Sequence, residues 1–235
     1  MSPRRLVRRR KQAFRPEWVA DLGNLSALDL LCRFVPTPVV EAILSDRMTE
    51  ILGPHQQEVI VVFLDLRGFT AFVETTPPAE VARVLRAYHH LVGRTVTACG
   101  GTLEHFTGDG TMIFFSESAS VPGATDRAVR MALSLRSGFV GLARRWRVCG
   151  HVLGLGAGVS KGYATIGIIG FDGRWDFGVI GPVTNLAARL CQIARAGEIL
   201  ICPRVASELS AEIPTERVSE VRVKGLQQKV EIFRV

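Results

Sequence analysis

The sequence predicts an α+β fold in which helices flank a mixed β-sheet. Three observations carry that expectation. Val59-Ile60-Val61-Val62-Phe63-Leu64 is an unbroken apolar run that stops abruptly at Asp65, and such a run reads as a central strand buried on both faces. Two short extended stretches, 101–106 and 111–115, surround Thr107-Gly108-Asp109-Gly110 and read as a hairpin around a Gly-rich turn. Helical periodicity then alternates with further strand-like runs along the rest of the chain.

The elements follow in order. Residues 1–26 read as a basic, flexible arm. Residues 27–52 carry a helical pattern that Pro36 and Pro38 break into two short pieces. After the first strand, Pro77-Pro78 opens a helix over about 79–98, with Val81, Val84, Leu85, Tyr88, Leu91, Val92 and Val96 on its apolar face. The hairpin comes next. A second helix, about 124–146, places Ala128, Met131, Ala132, Leu135 and Phe139 on one stripe. Residues 152–169 read as two strands around Lys161-Gly162, and 170–178 as a loop or arm, free or folded over a partner subunit. A third helix spans about 182–196, with Pro182 at its first position and Gly197 as its C-terminal cap. Residues 198–202 and 220–235 supply further strands, with a short helix between. The expected organisation is an arm (1–26), a helical segment (27–55) and one main domain (56–235).

Charge is unevenly spread. The net charge is +7, yet Arg4, Arg5, Arg8, Arg9, Arg10, Lys11 and Arg15 supply seven basic groups with no acid among them. Without these, 22 basic residues face 22 acidic ones. A neutral body argues against a specific nucleic-acid-binding domain. The arm reads as a solvated tail or as a contact with an anionic surface. No stretch approaches 18 uninterrupted apolar residues, so no transmembrane span is expected. Cys32, Cys99, Cys149, Cys191 and Cys202 are odd in number and form no Cys-x-x-Cys pair. They suit reduced thiols in the cytoplasm, mostly as small core residues.

The chemistry concentrates at the strand ends. If the hairpin pairs beside the first strand, Asp65 and Asp109 meet at one sheet edge. Close carboxylates repel unless a cation lies between them, and hard divalent ions favour carboxylates with phosphate oxygens. That pattern suggests a metal site handling a nucleoside triphosphate; the plainer reading is that Asp109 only shapes a turn. Gly68, followed by Phe69 and Thr70, lets the backbone turn and offer N–H groups to phosphate. Asn185 and Arg189, four apart, share one face of the third helix, with Leu186, Leu190 and Ile193 inward. His55, His89, His90 and His151 show no metal-ligand spacing and read as structural or surface residues.

Phe63-Leu64-Asp65-Leu66-Arg67-Gly68-Phe69-Thr70, Gly108-Asp109-Gly110 and Val183-Thr184-Asn185-Leu186-Ala187-Ala188-Arg189-Leu190 resemble, in order, the signatures of class III nucleotide cyclases. The likeness is collinear from about Glu58 to the C-terminus. It implies a ferredoxin-like, palm-like sheet and two divalent cations, Mg²⁺ or Mn²⁺, on Asp65, Asp109 and the Leu66 carbonyl. It implies that Asn185 orients the ribose and that Arg189 stabilises charge on the α-phosphoryl group. Lys224, in Val223-Lys224-Gly225, resembles the lysine that contacts the triphosphate. The helical segment 27–55 resembles one that couples an upstream sensor, or it simply packs on the domain. The implied assembly is a head-to-tail homodimer with shared sites, metal aspartates from one subunit and Asn185–Arg189 from the other. The implied reaction is ATP to cyclic AMP and pyrophosphate, with GTP as the alternative substrate. Two positions depart from the family pattern. His105 stands where adenylate cyclases usually carry a base-contacting lysine, and Gly178 where they carry Asp or Thr. Guanylate cyclases usually carry Glu and Cys there. A nucleotide-binding module without turnover is therefore the competing class.

Overall fold

The computed structural model describes residues 26–45, 47–117, 122–222 and 229–235. They fall into two units, one ending at Phe34 and one running from Val35 to Val235. In the first, helix α1 (Ala27–Phe34) starts with a reciprocal cap. The Ser26 N–H and hydroxyl donate to Asp29 Oδ2, at 3.1 and 2.7 Å, while the Ser26 hydroxyl accepts from the Asp29 N–H. This satisfies donors that a bare helix start leaves open.

The second unit begins with α2 (Thr37–Leu44) and α3 (Met48–Leu52). The pattern over 27–52 is thus three helices rather than two. The extra break follows Leu44, where the Ser45 hydroxyl donates back to the Glu41 carbonyl at 2.6 Å and competes with the helical ladder. Strand β1 (His55–Arg67) runs into α4 (Phe69–Thr75), a short helix that the sequence did not announce. Gly68 opens it at φ 83°; a Cβ there would stand 2.8 Å from the Val152 carbonyl oxygen. Helix α5 (Pro78–Ala98), β2 (Thr102–Thr107), β3 (Gly110–Ser116) and α6 (Ala124–Val148) come next. They agree with the periodicity to within two residues at each helix end.

The region after α6 differs from the expectation. Residues 154–171 form one strand, β4 (Gly154–Phe171), which passes through Lys161-Gly162 without a turn. Thirteen consecutive register pairs with β1, from His55↔Ile166 to Arg67↔Gly154, hold it straight. The expected loop at 170–178 is instead the second half of a hairpin with β5 (Arg174–Ile180). Phe171 pairs with Arg174 across Asp172-Gly173, and Asp-Gly is a strong two-residue hairpin signal. Helix α7 (Pro182–Ile193) stops short of Gly197. The Gly197 N–H donates to the Leu155 carbonyl at 2.7 Å instead of capping the helix. Strand β6 (Ile199–Ile201), α8 (Pro203–Glu208), β7 (Glu216–Arg222) and β8 (Lys229–Arg234) complete the described chain.

The sheet order is β2-β3-β1-β4-β6-β8-β7, with β5 on β4. Pairing is antiparallel except between β4 and β6. Alternation along β1 feeds two cores. Ile60, Val62, Leu64 and Leu66 pack with Val84, Tyr88 and Val92 of α5 and with Met131 and Leu135 of α6. Val59 and Val61 pack with Phe114, Phe177, Val183 and Ala187 on the other side. Burial on both faces is why this run is apolar throughout. Of the cysteines, Cys191 and Cys202 are buried, but Cys32 and Cys149 are exposed, so the core expectation holds for only part of the set. Among the described residues no helix is long and apolar enough to cross a membrane.

Candidate active site

The sheet register brings the two acidic groups together. Leu64 pairs with Thr111 across β1 and β3, which sets Asp65 and Leu66 level with Gly110 and Asp109. The two carboxyls are near enough for the charge of Asp65 to raise the pKa of Asp109, while the backbone N–H of Leu66 beside them lowers it. The Asp109 carboxyl is pushed up to about 6, first by burial and then by the Asp65 charge. Beneath them, burial raises the pKa of the Tyr88 phenol, and both carboxylate charges add to the effect.

Arg67, part of the strand-end motif but given no role from sequence, braces this pair. Its guanidinium bonds Asp65 and the Cys191 carbonyl, and its Nε donates to the Ala194 carbonyl at 2.8 Å. One planar fork thus joins β1 to the end of α7. Gly156 makes room for it: a Cβ there would meet Arg67 Nε at 2.8 Å. Burial pushes the neighbouring Cys191 thiol up to about 12, which leaves it unreactive.

His105 and Gly178 also come together, through Glu104. The β2–β3 register shifts between Leu103 and His105, so Glu104 is the extra residue of a bulge. Glu104 Oε2 is hydrogen-bonded to His105 Nδ1, and Glu104 Oε1 stands 2.8 Å from where a Cβ on residue 178 would lie. That hydrogen bond is the main reason the His105 pKa is raised. Nothing in Thr-Leu-Glu-His-Phe-Thr marks a bulge, so no sequence signal pointed to Glu104.

The other expected residues have no side-chain hydrogen bond to either carboxylate among the described residues. Asn185 and Arg189 are exposed on α7, and Arg189 donates to Gln192 Oε1 at 3.1 Å. Gly68 and Thr70 are exposed at the start of α4, whereas Phe69 packs against the core. Lys224 lies outside the described residues. A cavity of about 1090 Å³ runs along α5 and β2, lined by Arg86, His89, His90, Arg94 and Phe106 among others, and neither carboxylate lines it. His55 and His151 are occupied structurally: His55 Nδ1 bonds the Gly53 carbonyl, and His151 bonds Glu80 at 2.9 Å against the Phe72 ring.

Comparison with known proteins identifies the family. The adenylate and guanylate cyclase catalytic domain matches residues 53–235. The chain belongs to this family. An adenylate cyclase of Anabaena cylindrica is 28% identical over 228 residues, 88% of this chain and 43% of that protein. An uncharacterized protein of Mycobacterium tuberculosis is 29% identical over 213 residues, 88% of this chain and 37% of that protein. The chain thus spans less than half the length of these relatives. The adenylyl cyclase CyaB of P. aeruginosa superposes with a TM-score of 0.74 at 32% identity, over 78% of this chain and 95% of that one. The guanylyl cyclase Cya2 gives 0.71 at 27% identity, over 78% and 93%. The cyclase fold, a mixed sheet flanked by helices, is therefore shared with enzymes of both kinds.

As a cyclase domain, the chain offers donors that fit a hard divalent cation. Two carboxylates and a backbone carbonyl are oxygen ligands of the type Mg²⁺ and Mn²⁺ take. A carboxylate pair tight enough to raise one pKa gains most from a shared positive charge. Among the described residues no group of three or more His, Cys, Asp or Glu gathers; a Mg²⁺ ion held by one or two carboxylates usually completes its shell with phosphate oxygens and water.

Proposed function

We propose that residues 56–235 form a cytoplasmic purine nucleotide cyclase domain that converts ATP to 3′,5′-cyclic AMP and pyrophosphate. One observation carries the reading: the β1–β3 register sets Asp65 beside Asp109 at one sheet edge, where burial and then the Asp65 charge push the Asp109 carboxyl up to about 6. Asp65, Asp109 and the Leu66 carbonyl would hold two divalent cations. Bound there, such ions supply acidity to the ribose 3′-hydroxyl and neutralise triphosphate charge. The remaining work belongs to the chain. The N–H groups that open α4, around Gly68, Phe69 and Thr70, face the phosphates. Lys224 adds a cation to the triphosphate. Asn185 orients the ribose, so that the 3′-oxygen attacks the α-phosphorus in line with the departing pyrophosphate. Arg189 stabilises the charge that develops there.

Asn185 and Arg189 are exposed and have no hydrogen bond to Asp65 or Asp109 among the described residues. This supports a head-to-tail homodimer in which each site takes its aspartates from one subunit and its Asn185–Arg189 face from the other. Mixing Asp65→Ala and Arg189→Ala chains tests it. Each is inactive alone, and the mixture regains activity at one site per dimer. No regain on mixing would rule out shared sites.

Glu104 against Gly178 bears on substrate choice. A carboxylate accepts hydrogen bonds, from the exocyclic amine of adenine or from the N–H edge of guanine. Turnover of ATP and GTP side by side, by wild type and His105→Lys, measures the preference, and the lysine variant is expected to shift it. No cyclic product from either nucleotide with Mn²⁺ would favour a binding module instead. Residues 27–55 would then serve as the coupling segment in either case.

A further inference from the structure

Helix α5 gives the hairpin turn a side chain for which the cyclase reading has no role. His89 is half-buried, and its Nε2 lies 2.8 Å from the carbonyl oxygen of Gly108. A carbonyl only accepts, so His89 carries a proton on Nε2 and donates it. Burial lowers its pKa, which suits a neutral ring. The imidazole is held from two sides. It packs on Phe106, with ring centroids 4.2 Å apart and planes at 36°. Its helical neighbour Tyr88 is fully buried and meets the Phe139 ring edge-on.

What His89 holds is the most pliable link of the turn. Gly108 sits at φ 69°, where side chains other than glycine's are strained. A Cβ there would meet nothing within 4 Å, so conformation rather than space calls for glycine. The Gly108 carbonyl and the Asp109 N–H belong to one rigid peptide plane. The Asp109 Cα, which carries the carboxylate side chain, lies in that plane as well. A hydrogen bond on one side of the plane therefore sets the direction from which the carboxylate hangs on the other.

We propose that His89 is a positioning residue, which fixes the Gly108–Asp109 peptide plane and thereby sets the cation affinity of the Asp65–Asp109 pair. The proposal rests on the cation-binding reading above. Groups that orient a ligand from behind typically change metal affinity 10- to 100-fold.

The test uses the full chain without nucleotide. Mn²⁺ binding is followed by electron paramagnetic resonance, with thermal melting and amide hydrogen exchange alongside. His89→Phe keeps the contact with Phe106 and removes the donor. It is expected to weaken Mn²⁺ binding about tenfold, with a melting temperature close to wild type and faster exchange over 107–110. His89→Gln, which restores an N–H donor, is expected to bind within about threefold of wild type. If Phe does not fit, His89→Leu removes the donor equally well. Asp109→Asn is the control and should lose most binding. Wild-type affinity in His89→Phe, with Asp109→Asn impaired, overturns the role of His89 alone. Equal losses in the Phe and Gln variants, in step with lowered melting temperatures, reduce His89 to packing and also overturn it. Equal Mn²⁺ binding by wild type and Asp109→Asn removes the cation site itself, and the proposal with it.

Discussion

At the scale of single residues, the carboxylate pair stores an unfavourable charge. A carboxyl whose pKa is raised binds its proton more tightly in the folded chain than in the unfolded one. The metal-free fold therefore loses stability as pH rises from the ordinary carboxylate range through about 6. Asp109→Asn removes that loss. At neutral pH without metal the variant should melt at a higher temperature than wild type, and it should gain nothing from Mn²⁺, which calorimetry with and without the ion would measure. Arg67→Met works in the opposite direction. It strips charge-assisted bonds from two carbonyls and from Asp65, a loss of about 2 kcal/mol. For a domain of this size that is roughly 4–8 °C in melting temperature. The Glu104–His105 bond gives a pH signature. The His105 pKa is raised, so the contribution is complete below the ordinary imidazole value and fades as pH climbs through the folded one. The His105 side chain is 46% exposed, so solvent screens the effect. Melting of wild type against His105→Phe should differ most near pH about 5.5 and converge by about 9, bracketing the ordinary imidazole pKa. Asp65 and Asp109 were legible in the sequence because an acid ending an apolar strand, and an acid in a Gly-rich turn, are both local patterns. Arg67 and His89 were not, because the groups they hold lie on another element, and Glu104 was not, because no residue pattern marks the bulge that places it.

At the scale of elements, legibility followed how local the forces are. Strand β1 and helices α5 and α6 announce themselves by period, since burial on fixed faces dictates their apolar positions. Strand β4 resembles two pieces in the sequence because Lys161-Gly162 interrupts it, and further glycines stand at Gly154, Gly156, Gly158 and Gly167. In the fold, glycines there answer close approach by neighbours rather than chain reversal. A Cβ on Gly158 would collide with the backbone of α7 at Ala187 and Cys191. Gly158→Ala should therefore cost about 3 kcal/mol, read as a lower urea midpoint with an unchanged slope. The β4–β5 hairpin was legible in principle from Asp172-Gly173, but the surrounding aromatic and glycine residues suggested a loop. Helix α4 escaped because seven residues are too few for a period.

At the scale of the whole molecule, charge and assembly divide the chain. The neutral balance beyond residue 15 leaves attraction to anionic surfaces to the arginine arm, whose residues 1–25 lie outside the described ones. A chain starting at residue 26 should lose binding to phosphatidylserine vesicles that the full chain shows at low salt, measured by cosedimentation. The ladder between β1 and β4 has a consequence of its own. Thirteen paired positions resist slippage, because a shift by one would present Leu66 where Asp65 stands and turn both apolar faces inside out. The sheet edge that carries Asp65 is rooted in that unyielding stretch. Glu104, His105 and Gly178 ride instead on a bulge and an outlying hairpin. On the proposed reading, substitutions that alter nucleotide preference would leave the carboxylate pair in place.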